Sequence, residues 1–112
     1  MELPRTPLMH EARIVLPFGT YKLDGACELL ELSLGRSFGG WTRTVGKGAW
    51  FSAEQNKMVY DDVYVYDVGM PASVTSWQEL CRIARNACRD AEQECVYVRW
   101  NGEVNFINGK DR

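Results

Sequence analysis

The chain predicts an α+β domain in which two helices cover one face of an antiparallel sheet, in the order β-α-β-β-α-β with a short extra strand at the C-terminal end. Three observations carry this. Two segments repeat apolar residues at helical spacing, several short segments are β-branched or alternating between turn residues, and an Asn-Gly pair separates the last two of these.

Residues 1–11 hold Pro4, Pro7 and His10 without periodicity and read as an amino-terminal arm. Ala12 to Pro17 is short and β-branched, closed by Pro17 and Gly19. Apolar residues then fall at Leu23, Ala26, Cys27, Leu30 and Leu34, one buried helical stripe, with Gly35 as a left-handed stop. Gly39 and Gly40 release the chain into a second strand, Trp41 to Val45. Gly46-Lys47-Gly48 interrupts it, and the stretch to Lys57 reads as a long hairpin connection. Val59 to Val68 is a strand with Val63 and Val65 on one face and Tyr60, Tyr64 and Tyr66 on the other; Pro71 ends it. Ser76 followed by Glu79 makes a capping box for a helix whose stripe is Trp77, Leu80, Cys81, Ala84, Cys88 and Ala91. Cys95 to Trp100 is again a strand, and Asn101-Gly102 suits a type I′ turn into Glu103 to Ile107. Residues 12–107 thus form a single domain with a tail at 108–112, and the order of elements is the ferredoxin-like split β-α-β.

The composition bounds the function. A chain of 112 residues, 46% apolar, supports one packed core, and a net charge of −2 argues against direct, sequence-independent nucleic-acid binding. A run long and apolar enough for a membrane span, or the apolar stretch of a signal peptide, is not present, so a cytoplasmic protein is expected. Cys27, Cys81, Cys88 and Cys95 lack zinc-ligand spacing and read as buried thiols, and neither a metal nor a cofactor is expected. His10, the single histidine, excludes paired-histidine chemistry and reads as solvated. Adjacent Asp61 and Asp62 point to opposite sheet faces and do not cooperate on a metal.

Strand parity sorts core from surface. Ile14, Leu16, Val63, Val65, Val96 and Val98 are assigned to the helices. Arg13, Tyr64, Tyr66, Tyr97 and Arg99 then face outward, with Trp41 and Arg43 if the second strand shares that phase. Rings and guanidinium groups on one bare face invite a cover, either a second copy of the chain as a dimer or trimer, or a flat, negatively charged ligand. The candidate ligand site is Trp41, Arg43, Thr44, Lys47, Trp50, Tyr64, Tyr66 and Arg99. Gly46 and Gly48 would let backbone N–H groups approach an anion, or would instead mark a glycine-rich bulge with Trp41 and Trp50 in a core or interface. Arg82, Arg85 and Arg89 form a basic stripe on the second helix that acidic neighbours offset.

Phe38 to Thr42, Phe-Gly-Gly-Trp-Thr, followed by Gly46 to Trp50, Gly-x-Gly-x-Trp, resembles small ferredoxin-like proteins encoded by bacteriophages. In topology the chain is also similar to the PII-like signalling proteins. That resemblance implies trimers with a long loop, here Gly46 to Lys57, closing over a nucleotide between subunits. The resemblance implies a counter-defence role, a homo-oligomeric, non-catalytic protein sequestering a nucleotide-type signalling molecule, for which stacking and phosphate contacts suffice. Two other readings stand beside it. An anti-CRISPR-like inhibitor would present Asp61, Asp62, Asp67, Glu92 and Glu94 to a partner protein, and a small dimeric α/β-barrel enzyme would use a Tyr or Asp as acid or base.

Overall fold

A computed structural model of the chain describes residues 9–110. The elements are β1 (Met9–Pro17), α1 (Tyr21–Phe38), β2 (Thr42–Ser52), β3 (Lys57–Pro71), α2 (Val74–Asp90), β4 (Val96–Trp100) and β5 (Glu103–Ile107). They form one five-stranded sheet in the order β2-β3-β1-β4-β5, every neighbouring pair antiparallel, as the ferredoxin-like arrangement with an added edge strand requires. β1 begins at Met9, so residues 9–11 of the expected arm belong to the strand. Residues 1–8 of that arm and 111–112 of the tail lie outside the described residues.

The helices meet the sheet through one cluster. Ala26, Cys27, Leu30 and Leu34 of α1 and Leu80, Ile83, Ala84 and Ala87 of α2 pack on Ile14, Leu16, Tyr66, Val68, Val96 and Val98. α1 outruns its expected stop at Gly35: it is capped at the start by Thr20, whose hydroxyl accepts from the Leu23 N–H, and ends at Gly39, whose φ of 91° only glycine adopts without strain. α2 opens at Ser73 rather than Ser76; the Ser73 hydroxyl accepts from the Ser76 N–H. Glu79 is therefore free of capping and instead accepts both Nε and an Nη of Arg82 at 2.7 Å, as well as the Ser37 hydroxyl of α1. Asn101 and Gly102, with φ of 50° and 78°, make the expected turn between β4 and β5.

Two expectations about β2 and β3 are corrected. β2 does not stop at Gly46 but pairs with β3 without a break from Thr42 opposite Asp67 to Ser52 opposite Lys57. The long loop expected over Gly46 to Lys57 is thus a strand and a tight turn, and the β2–β3 hairpin is an arm. The glycines are packing positions: a Cβ on Gly48 would lie 3.2 Å from a Val63 methyl and one on Gly46 3.6 Å from the other, so their absence lets Val63 settle against the strand.

The second correction concerns which face of β3 is covered. Tyr66 lies directly opposite Ile14 in the β1–β3 register, and residues opposite one another share a face. Tyr64, Tyr66, Val68 and Met70 therefore lie on the helix side, and Val65 faces outward beside Val15 and Tyr97. A shift of one residue in parity exchanges the whole set, so reading Val63 and Val65 as the inner residues placed both tyrosines on the wrong side. Two smaller expectations also change. His10 is not solvated but packs edge-on to Trp100 at 4.7 Å between ring centroids, and Cys95 is exposed while Cys27, Cys81 and Cys88 are buried.

Candidate functional site

The first half of α1 crosses the sheet where β1 ends, and its residues at spacings of three and four share a face: Asp24, Cys27, Glu28 and Glu31. Opposite them stand Phe18, just after β1, Arg43 of β2 and Tyr64 of β3. Together with Gly19 these residues line a cavity of about 550 Å³, within the range of small-molecule sites.

Glu31 is the node of the site. Its Oε2 accepts from Arg43 Nη1 at 2.6 Å and from the Tyr66 hydroxyl at 2.7 Å, and its backbone carbonyl accepts from the Trp41 indole N–H at 3.0 Å. One helical residue thereby fixes the positions of three side chains, Arg43 and Tyr66 on two strands and Trp41 just ahead of β2. Arg43 lies with its guanidinium carbon 4.3 Å from the centre of the Tyr64 ring and 5.9 Å from that of Trp41. Phe18 stacks on Tyr64 at 4.0 Å between centroids, with the planes 7° apart. Tyr64 is thus already occupied by partners of its own chain.

The protonation states follow from these contacts. Burial, then the hydrogen bond to Glu31, pushes the Tyr66 phenol far above the usual tyrosine range, so it remains a neutral donor. Burial raises the Cys27 thiol, whose sulfur contacts the Pro17 carbonyl at 3.6 Å, and leaves it uncharged. The hydrogen bond to Glu31 raises Arg43 and keeps it cationic. The cavity lining therefore presents three carboxylates against one guanidinium, a field that favours a cation over an anion.

The residues expected to bind ligand separate into three places. Trp41, Arg43, Tyr64 and Tyr66 come together, but on the helix side of the sheet and around Glu31 rather than on the bare face, and Tyr66 is fully buried. Lys47 pairs with Asp62 at 2.5 Å out on the arm. Thr44, Trp50 and Arg99 belong to the opposite face, where Arg99 stands 4.0 Å from Glu11 and Arg13 makes a two-point bond to Asp67 at 2.8 and 3.1 Å. The guanidinium and ammonium groups expected to meet phosphate are engaged with carboxylates. Glu31, Asp24, Glu28, Cys27 and Phe18 were not expected. The recurrence of acidic residues at 24, 28 and 31 beside the apolar stripe of α1 is the signal that marks them.

No family model matches the chain, and no curated protein matches it in sequence. Solved structures do match in fold. A phage SAM lyase in complex with S-methyl-5'-thioadenosine superposes with a TM-score of 0.72 at 12% identity, over 96% of this chain and 95% of that one. A phage SAM lyase in the apo state gives 0.66 at 14%, over 92% and 91%. At this identity the likeness shows a shared fold. It also corrects the expectation of a non-catalytic, PII-like sequestering protein: the fold shared over more than nine-tenths of each chain is one carried by lyases, and the PII-like nucleotide loop is absent from the β2–β3 connection.

Proposed function

We propose that the chain is a phage-type lyase acting on S-adenosylmethionine or a close sulfonium nucleoside, releasing S-methyl-5'-thioadenosine. The observation that carries this reading is the fold match, over 96% of this chain and 95% of the other, to a phage SAM lyase in complex with that thioadenosine. The charge of the cavity supports it, since a sulfonium substrate is a cation and the lining is acidic.

The chemistry also fits a site without a catalytic triad. When the bond between sulfur and the amino-acid chain breaks, the sulfur takes the electron pair and a cationic sulfonium becomes a neutral thioether, which needs no proton to leave. The carbon left behind takes its new bond from the substrate's own carboxylate, or a carboxylate of the lining takes a proton from the neighbouring carbon and the chain becomes an alkene. In neither route does water enter the products. The protein then has to exclude solvent, hold the substrate's flexible chain in a reactive shape and place fixed charges around it. Glu31 is suited to the last task because Arg43 and Tyr66 hold its carboxylate before any ligand arrives. Phe18 supplies an apolar wall, and Asp24 and Glu28 extend the negative field.

Self-association belongs to the same reading. Val45, Phe51, Met58 and Tyr60 stand exposed on one side of the arm, an apolar strip suited to a second copy, and native mass spectrometry reports the assembly directly.

The test is incubation with S-adenosylmethionine in water enriched in oxygen-18, followed by chromatography and mass spectrometry. Thioadenosine should accumulate, with no label in either fragment at early times. Glu31→Gln should lower kcat/KM by about 100-fold, the size of losing one fixed electrostatic contact, with the chain still folded. Absence of thioadenosine at millimolar substrate, or early label in a product, would overturn the reading.

A further inference from the structure

Residues of the arm and of the connection between α2 and β4 together line a second cavity, of about 480 Å³, that the proposed lyase site does not use. From the arm it takes Trp50, Val59 and Asp61; from the connection, Gln93, Glu94 and Cys95.

Its walls are set by the fold. Trp50 lies directly opposite Val59, and Asp61 lies opposite Gly48, which has no side chain to lay over the carboxylate. The connection is pinned as well. The Gln93 N–H donates to the Cys88 carbonyl at 2.9 Å, the Glu92 N–H to that of Arg89 at 3.1 Å, and the Cys88 thiol donates to the Gln93 carbonyl at 3.0 Å. Glu92, at φ 51°, takes the left-handed position that closes the end of α2.

The charges here differ from those next to them. Asp62, Asp67 and Glu92 are paired with Lys47, Arg13 and Lys22. Asp61 and Glu94 have neither a hydrogen bond nor an ion pair among the described residues, and no cation lines the cavity. Asp61 is nonetheless partly buried. A half-exposed indole beside two unpaired carboxylates attracts a cation with a greasy surface, because the ring face and the carboxylates favour positive charge while the ring and Val59 favour displacing water. The apolar surface that Trp50 and Val59 add to the lining favours an organic cation over a hydrated metal ion.

We infer that the cleft between the arm and the α2–β4 connection is a second binding site, specific for small organic cations of the alkylammonium or sulfonium class, with Trp50, Asp61 and Glu94 as its recognition groups. It stands independently of the lyase reading, because it shares no residue with the Glu31 cavity.

The probe is tetramethylammonium chloride, followed through the indole N–H resonance of Trp50 by NMR. Sodium chloride at equal ionic strength controls for bare charge and tert-butanol for bare shape. A saturable shift with tetramethylammonium alone is expected, weakened about tenfold by Asp61→Asn and comparably by Glu94→Gln. Glu31→Gln should leave it unchanged. An equal shift with sodium or tert-butanol, the lack of saturation, or full affinity in both carboxylate variants would overturn the proposal. Thioadenosine formation in those variants reports separately on the lyase site.

Discussion

The two halves of the sheet are built on the same strands and follow different rules. Under the helices, Ile14, Leu34, Val98 and Leu80 are wholly removed from water. Beyond Arg43, which α1 reaches through Glu31, the arm stands open: Val45, Phe51 and Tyr60 are each more than half exposed. Aromatic content does not distinguish the halves, since Tyr66 is sealed in one and Tyr60, six residues earlier on the same strand, stands open in the other. What differs is whether a helix lies above. Apolar burial, and the stability it supplies, is concentrated in the covered half.

That contrast can be broken at several points. The largest effect belongs to the core: Leu34→Ala should cost about 2–5 kcal/mol in urea unfolding, and Phe51→Ser, although it removes a larger apolar side chain, about 0.5 kcal/mol or less. Comparable losses at both sites would mean that the arm is part of the core. Gly48→Val should cost about 1–3 kcal/mol by the same measurement, because even a Cβ there meets Val63 at 3.2 Å; no loss would show that the arm yields locally. Ser73→Ala, at the α2 cap, should cost about 1 kcal/mol.

The smallest effect is pH-dependent and confined to the helix layer. Arg82, and then Ser37, hold the Glu79 carboxyl down to about 2 from an ordinary 4.5. A carboxyl lowered by folding adds stability above its unfolded value, and that contribution disappears as pH falls through the folded one. Glu79→Gln should therefore flatten the stability profile between pH 4.5 and 2 and leave its shape near neutrality unchanged; an unaltered acid slope would show that the pair is screened by solvent.

The elements were largely legible in the sequence because each is punctuated locally: the apolar stripe from Ala26 to Leu34, the Asn101-Gly102 turn, Pro71 as the last residue of β3. The face of β3 was not. Val63 and Tyr66 are both good strand residues of opposite parity, and only the pairing of Ile14 with Tyr66, a contact between distant parts of the chain, decides between them. The same gap hid the site. Arg43, Tyr64 and Tyr66 were singled out by residue type, but the carboxylate that organises Arg43 and Tyr66 lies on α1, and helical periodicity alone does not say which strand a polar face will cross. Gly46 and Gly48 suggested an anion cradle because glycine next to lysine has two physical uses, and the valines that select the other use belong to β3.

The described residues measure 59 × 31 × 24 Å, and β3 alone, fifteen residues at about 3.3 Å each, runs for roughly 50 Å of that length. A body so drawn out spins about its long axis faster than it turns end over end. Nuclear relaxation of a lone protomer would accordingly vary with the direction of each N–H vector, and size-exclusion chromatography would overstate its mass. Compact rings of several protomers would lose that anisotropy, so the tumbling of the molecule in solution is itself a readout of whether its arms are engaged.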